Sequence, residues 1–225
     1  MEASQNKSPV FVTGGTGYLG NVLIARLLAR GDRVIALARP GSAHKLPAGA
    51  VSVLGNALDA ASYAAQVPHG ATFVHLIGVA HPSPAKAAQF ESIDLASVVA
   101  ALAAAQQAQA SHFIYVSVAQ PAPVMRAYQD VRARAEALIR ASGIPATIVR
   151  PWYVLGPGHR WPYLFLPFYT LAEYIPAWRE SARRLRCVTL AQMVATLAQV
   201  TQHPGHTTRI IEVQEIIDIA AACRK

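Results

Sequence analysis

The stretch Val10-Phe11-Val12-Thr13-Gly14-Gly15-Thr16-Gly17-Tyr18-Leu19-Gly20 decides how this chain folds. A short apolar β-run enters three spaced glycines, Gly14, Gly17 and Gly20, and a helical pattern of Leu19, Leu23 and Leu27 leaves them. The reading is a strand, a tight turn and a helix N-terminus. Glycine suits that turn because the backbone needs open angles, a diphosphate must approach the main chain closely, and helix and strand must pack tightly. The free N–H groups and positive dipole end of the helix then face the anion.

Working outward, Arg33 to Ala38 is an apolar run of strand length, and Arg39 follows it, 19 residues after Gly20. At that place in a dinucleotide-binding βαβ unit a carboxylate accepts from the ribose 2′-hydroxyl, whereas a cation accommodates a 2′-phosphate, so Arg39 favours NADP(H) and leaves NAD(H) as the second choice. Val51 to Leu54 reads as a third strand; Asn56 beyond it is a candidate for the adenine edge or a turn former. Ala60 to Val67 suits a short helix, and Ala71 to Gly78 a strand apolar on both faces, as in a buried parallel sheet. His75 and His81 have no partners at ligand spacing and read as core or loop histidines. A long helix over 87–109, a strand over 112–118, a helix through Tyr128, Arg132 and Glu136, and a strand over 146–150 follow. Alternation of this kind specifies a doubly wound α/β parallel sheet over residues 1–151. Residues 152–225 read as a small C-terminal lobe packed on that domain: an aromatic and proline-rich segment from Trp161 to Trp178, an arginine group (Arg179, Arg183, Arg184, Arg186), a helix through Leu190 and Leu197, a strand over 208–213 and a helix over 216–222.

Composition narrows the function classes. The 225 residues carry a net charge of +8, with 13 Lys/Arg against 7 Asp/Glu in residues 126–225. No nucleic-acid motif accompanies the surplus, so anionic cofactor phosphates are favoured over nucleic acid as its partner. The apolar run from Leu95 to Ala110 is broken by glutamines and reads as a buried helix, with no membrane span. Nothing in residues 1–7 marks secretion, so the expected compartment is the cytoplasm. Cys187 and Cys223 form neither a disulfide framework nor a metal-ligand spacing.

Taken together, Thr13 to Gly20, Val74 to Gly78, Tyr115-Val116-Ser117, Tyr128 to Glu136 and Arg150 to Pro157 resemble the extended and atypical short-chain dehydrogenase/reductase superfamily, in particular its NmrA-like and epimerase/dehydratase-like members. The resemblance covers nearly the whole chain and implies a Rossmann domain. It implies cofactor contacts at Gly14, Thr16, Gly17, Tyr18 and Leu19 in the first turn. Others are implied beyond the fourth strand (Leu76, Ile77, Gly78), at Val116 and Arg132, and at Pro151 and Val154.

The family's chemistry uses a tyrosine as general acid/base, a lysine four residues later and a hydroxyl residue after the fifth strand. A tyrosine of ordinary pKa, about 10, is a poor base at neutral pH, so a cation must favour its phenolate and a hydroxyl must polarise the substrate oxygen. Tyr128 matches the tyrosine; position 132 on the same helix face is arginine, which keeps its charge but cannot relay a proton. Family members show two adjacent hydroxyl residues where this chain has Ser117 and Val118. Tyr128, Arg132 and Ser117 are therefore the expected catalytic group, in altered form, acting on an unidentified small molecule. The alternatives are a dinucleotide-binding redox sensor or structural protein without turnover and, third, a sugar-nucleotide epimerase or dehydratase. A monomer or homodimer is expected.

Overall fold

The computed structural model describes residues 8–80, 82–122, 125–157 and 184–223. His81, Arg179, Arg183 and the segment Trp161 to Trp178 lie outside the described residues. Strands β1 (Val10–Thr13), β2 (Val34–Ala38), β3 (Val51–Leu54), β4 (Thr72–His75), β5 (His112–Val116), β6 (Ala146–Val149) and β9 (Arg209–Ile211) form one parallel sheet in the order β3-β2-β1-β4-β5-β6-β9. A second, two-stranded parallel sheet joins β7 (Val154–Leu155) to β8 (Val188–Thr189). The helices are α1 (Tyr18–Ala29), α2 (Ala87–Gln89), α3 (Ala96–Gln107), α4 (Arg126–Ala141), α5 (Leu190–Gln202) and α6 (Val213–Ala222).

Alternation along the buried strands divides the core in two. Phe11, Phe73 and Phe113 point to one face and sit rung on rung, with centroids 5.1 and 5.3 Å apart, against Ala101 and Ala105 of α3 and Ile139 of α4. Val10, Val12, Val74 and Ile114 point to the other, where Leu23 and Leu27 of α1 meet Met193 and Leu197 of α5 and Ile216 of α6. Helices on both faces of a parallel sheet are the doubly wound arrangement read from the sequence. The strand order reverses between β1 and β4, and ligands of such sheets bind outside the strand C-termini at that point.

Four elements differ from the expectation. The helix expected over 60–67 is a pair of 3-10 turns, Ala60–Ser62 and Ala64–Gln66, because the chain breaks at Tyr63 (φ −147°) to stack that ring on Phe11. The long second helix contains a π-helical stretch, Phe90–Leu95, whose wider turn coincides with inward placement of both Phe90 and Asp94. The last strand is only Arg209–Ile211, and the helix after it begins at Val213 because Glu212 is extended. Finally, the described part of the expected C-terminal lobe builds onto the main sheet: β9 is its seventh strand, and α5 is tied to α1 by Arg30, whose Nη1 donates to the Ala198 carbonyl (2.6 Å). The helical run Pro84–Gln107 is long and apolar enough to cross a membrane by length and composition, but 44% of its most apolar window is buried in the protein.

One buried group makes an early prediction. Ser97 gives its single hydroxyl proton to the Asp94 carbonyl (2.9 Å), so His75 Nε2 is the donor to Ser97 (3.2 Å) and Nδ1 accepts from Thr13 (2.8 Å). Burial, with Arg132 adding to it, lowers the pKa of His75 from 6.5 to about 3. The unfolded chain therefore binds a proton that the folded one refuses between those values, and stability present above pH 6.5 falls as the pH drops toward 3. Urea unfolding should show the parent losing about 1.2 kcal/mol more than His75→Gln between pH 6 and 5. Equal slopes would mean that His75 charges freely in the fold.

Candidate dinucleotide site

Gly14 has φ +78°, and a Cβ there would lie 2.8 Å from the Leu76 carbonyl carbon, so the glycine turn is pressed against the exit of β4. A Cβ on Gly20 would meet the Gly14 carbonyl and lie 2.9 Å from Gly15 Cα. Those two glycines close the turn. Gly17 differs: it is exposed, has φ −81°, and a Cβ there would meet only the Gly14 carbonyl oxygen, at 3.1 Å. It caps α1 without a side-chain hydrogen bond, and no acidic residue occupies the first turn. The helix thus presents a bare, positive N-terminus beside the switch point, with half-buried Thr16 before it and exposed Tyr18 at its start.

Arg39 follows β2 and shares a depression of about 390 Å³ with Gly41, Ser42 and Lys45. A 3-10 turn, Pro40–Lys45, brings these residues together, and Asn21 of α1 pins it by donating to the Lys45 carbonyl (2.7 Å). Lys45 was not singled out from the sequence; a cation six residues beyond Arg39 in a Pro-Gly-Ser turn was the available signal. Asn56 forms an Asx turn, its Oδ1 accepting from Leu58 N (3.1 Å). Leu76, Ile77 and Gly78 line the exit of β4 beside the glycine turn, whereas Pro151 and Val154 lie past β6, where the Pro151 carbonyl accepts from Ala119 N (2.9 Å) and Val154 pairs with Val188.

Arg132 is buried and its fork is already engaged. Nη1 donates to the Tyr115 hydroxyl (2.9 Å) and the Val116 carbonyl (3.0 Å), Nη2 donates to Asp94 Oδ1, and Nε is buried without an acceptor among the described residues. The guanidinium carbon sits 4.9 Å from the centroid of the Tyr128 ring and 5.5 Å from that of Tyr115. Tyr128, half-buried, also meets Phe90 edge-on at 5.0 Å. Burial alone would lower the Arg132 pKa, but Tyr115, Tyr128 and Asp94 outweigh it and raise it. Burial pushes the Asp94 carboxyl up against the opposing pull of Arg132 and Val79 N–H. Burial likewise raises Tyr115 to about 12.

Ser117 is turned to a different partner. Its hydroxyl donates to Glu136 Oε1 (2.7 Å), and Glu136 also receives Arg150 (2.5 and 2.9 Å) and Arg140 (2.9 Å). Burial would raise Glu136, but the hydrogen bonds from Arg150 and Ser117 hold it below the usual carboxylate range. Tyr128, Arg132 and Glu136 stand one turn apart on α4, so the structure groups Tyr128 with Arg132 and draws the Ser117 proton two turns away to Glu136. Asp94 and Glu136 are further residues to which the sequence reading gave no role. A lone carboxylate in Ile93-Asp94-Leu95, inside an apolar helix, was the one local hint of the first. Among the described residues no cluster of three or more His, Cys, Asp or Glu is placed to hold a metal ion.

Comparison with known proteins gives the site its context. Residues 14–160 match the model of the NAD(P)H-binding family. The chain is 29% identical over 168 residues to the 4-hydroxy-2-methyl-3-oxo-4-farnesyl-3,4-dihydroquinoline-1-oxide ketoreductase of Stigmatella aurantiaca, covering 65% of this chain and 50% of that protein. It is 31% identical over 161 residues to the ceramide reductase of Caulobacter vibrioides, covering 69% and 49%. The chain thus spans about half the length of these curated relatives. Among solved structures, Bordetella bronchiseptica WbmH in complex with NAD+ superposes with a TM-score of 0.67 at 17% identity, over 96% of this chain and 79% of that one. The Thermus thermophilus UDP-glucose 4-epimerase complex with NAD gives 0.63 at 16% identity, over 96% and 84%. Those likenesses show the Rossmann fold. With a strand-glycine turn-helix at the switch point and a family match over more than half of its residues, the chain belongs to the NAD(P)H-binding family.

Proposed function

We propose that the chain is an NADP(H)-binding protein that turns its cofactor over slowly, its task being to hold or sense the dinucleotide. The observation that carries this reading is the commitment of Arg132 to Asp94, Tyr115 and Val116. A fork held by three protein partners is not free to grip ribose hydroxyls, and its charge is opposed by a buried carboxylate. Ser117, with its proton on Glu136, has none to offer a substrate oxygen.

The residues present fit the cofactor. The uncapped start of α1, with Thr16, Gly17, Tyr18 and Leu19, would take the diphosphate on main-chain N–H groups. Gly14 keeps Leu76 and Ile77 close beneath it, and Arg39, Ser42 and Lys45 would surround a 2′-phosphate. Asn56 would lie beside the adenine, and Gly78, Val116, Pro151 and Val154 toward the nicotinamide end. When bound, the nicotinamide supplies a hydride.

A second reading is supported by Tyr128 under the cationic face of Arg132 and by the two curated relatives named as reductases. Here Tyr128 would hold and deliver the proton that accompanies hydride transfer to a carbonyl. NADPH fluorescence titration together with NADPH consumption over a panel of ketones separates the two. Tight binding with consumption unchanged by Tyr128→Phe supports the first; consumption that the variant abolishes establishes the second.

Cofactor preference gives its own prediction. Arg39→Asp should weaken NADPH binding at least tenfold, about 1.4 kcal/mol, and leave NADH binding equal or better. Equal affinity of the parent for both cofactors would remove the role given to Arg39.

A further inference from the structure

The geometry points to Asp94 as a positioning residue that draws the Arg132 guanidinium beneath Gly78 and holds it out of the cofactor cleft. The inference deepens the dinucleotide reading above, and rests on it only where NADPH is added.

Asp94 lies on the π-helical stretch, is 1% exposed, and has a partner for each carboxylate oxygen and for its carbonyl. Oδ1 accepts from Arg132 Nη2, Oδ2 accepts from Val79 N (3.1 Å), and the carbonyl accepts from Ser97, which is fixed in turn by His75 and Thr13. The carboxylate therefore joins three elements, the exit of β4, the π-turn and α4, while the Asp94 backbone is anchored from behind by a buried hydrogen-bond chain that runs from its carbonyl to Thr13, the residue before Gly14. On the other side the slot is cut to the guanidinium. A Cβ at Gly78 would stand 2.5 Å from Arg132 Nη2 and 3.1 Å from Asp94 Oδ1, so the absence of a side chain at residue 78 is what admits the fork. Residue 132 is the one that the short-chain dehydrogenase/reductase pattern sends toward the cofactor. Here a carboxylate, a glycine gap and two aromatic faces turn it inward, and Nε is buried with no acceptor among the described residues. The buried pair thereby works as a fixed internal strut, with a side-chain charge compensated at its origin.

The test is arginine NMR on the full-length 15N-labelled protein, with the Arg132 Nε–H resonance assigned by its loss in Arg132→Lys. In the parent this sealed N–H should exchange at least about a hundredfold more slowly than exposed arginines, with or without saturating NADPH. Asp94→Asn, equal in size but without the charge, should bring exchange to within about tenfold of the exposed arginines and make the resonance move on NADPH addition, as the released fork reaches the cleft. Gly78→Ala attacks the same slot from the opposite side with Asp94 intact, and should give the same loss of protection if Asp94→Asn fails to fold. Parent exchange as fast as that of exposed arginines, protection retained in both variants, or parent protection that is lost when NADPH binds would overturn the assignment. A parent that binds no NADPH by fluorescence would remove the functional reading, while the cofactor-free exchange rates still decide the role of Asp94.

Discussion

Gly17→Val should abolish measurable dinucleotide binding, lowering NADPH affinity at least about a hundredfold, or 2.7 kcal/mol, while leaving a folded protein. The three glycines of the turn are separated by what surrounds each. Gly14 needs its positive φ and its contact with Leu76, and Gly20 abuts the carbonyl of Gly14, so a side chain at either deforms the turn itself. Gly17 has an ordinary φ and an exposed flank, with one tight contact to the Gly14 carbonyl. A valine there projects into the space that main-chain N–H groups leave for phosphate, and its cost to the helix start is about 1 kcal/mol. Urea unfolding and fluorescence titration should therefore dissociate: binding lost, midpoint nearly kept. Gly20→Val should show the reverse order, with stability failing first. Retained affinity in folded Gly17→Val would dislodge the cofactor from this turn.

That contrast also indicates which parts of the molecule a sequence can disclose. The glycine turn was legible because its determinants are local: β1, the turn and α1 lie within 20 residues, and each step has a residue-type requirement. The sheet was legible for the same reason, since β1 to β6 are apolar runs bounded by turn residues. β9 was harder, being three residues long and adopted as a sheet strand only because β6 offers it an edge. The neighbourhood of Tyr128 was half legible. Position 132 stood out because the family resemblance implies a lysine four residues after Tyr128 and the chain has arginine there, but its partner Asp94 lies 38 residues away on a π-turn that no periodicity announces. Ser117 likewise could be located without its proton being traced to Glu136, 19 residues on. Long-range buried polar pairs depend on the assembled packing, and the charge that a residue presents to a cleft depends on them.

The same pairs set the expectation for catalysis: the parent should consume NADPH on simple ketones slowly, and Val118→Ser with Arg132→Lys should raise that rate at least about tenfold, 1.4 kcal/mol of barrier. A hydride acceptor needs a proton donor within reach and a second donor on its oxygen, acting together. Among the two residues after β5, Ser117 gives its proton to Glu136 and Val118 has none to give. A serine at 118 supplies a hydroxyl with no assigned carboxylate. Lysine at 132 changes the other half: a single ammonium cannot span Tyr115, Val116 and Asp94 as the guanidinium does, and it can relay a proton. Neither change alone completes the group, so the gain should exceed the product of the single effects, as it does for residues that act as a unit. Tyr128→Phe in the doubly substituted protein should return the rate to the parent level if the phenol delivers the proton. Rapid turnover by the parent that is lost in Tyr128→Phe would show instead that the buried Arg132 already supports the tyrosine from its place over the ring, and that this arrangement of the site is a working reductase.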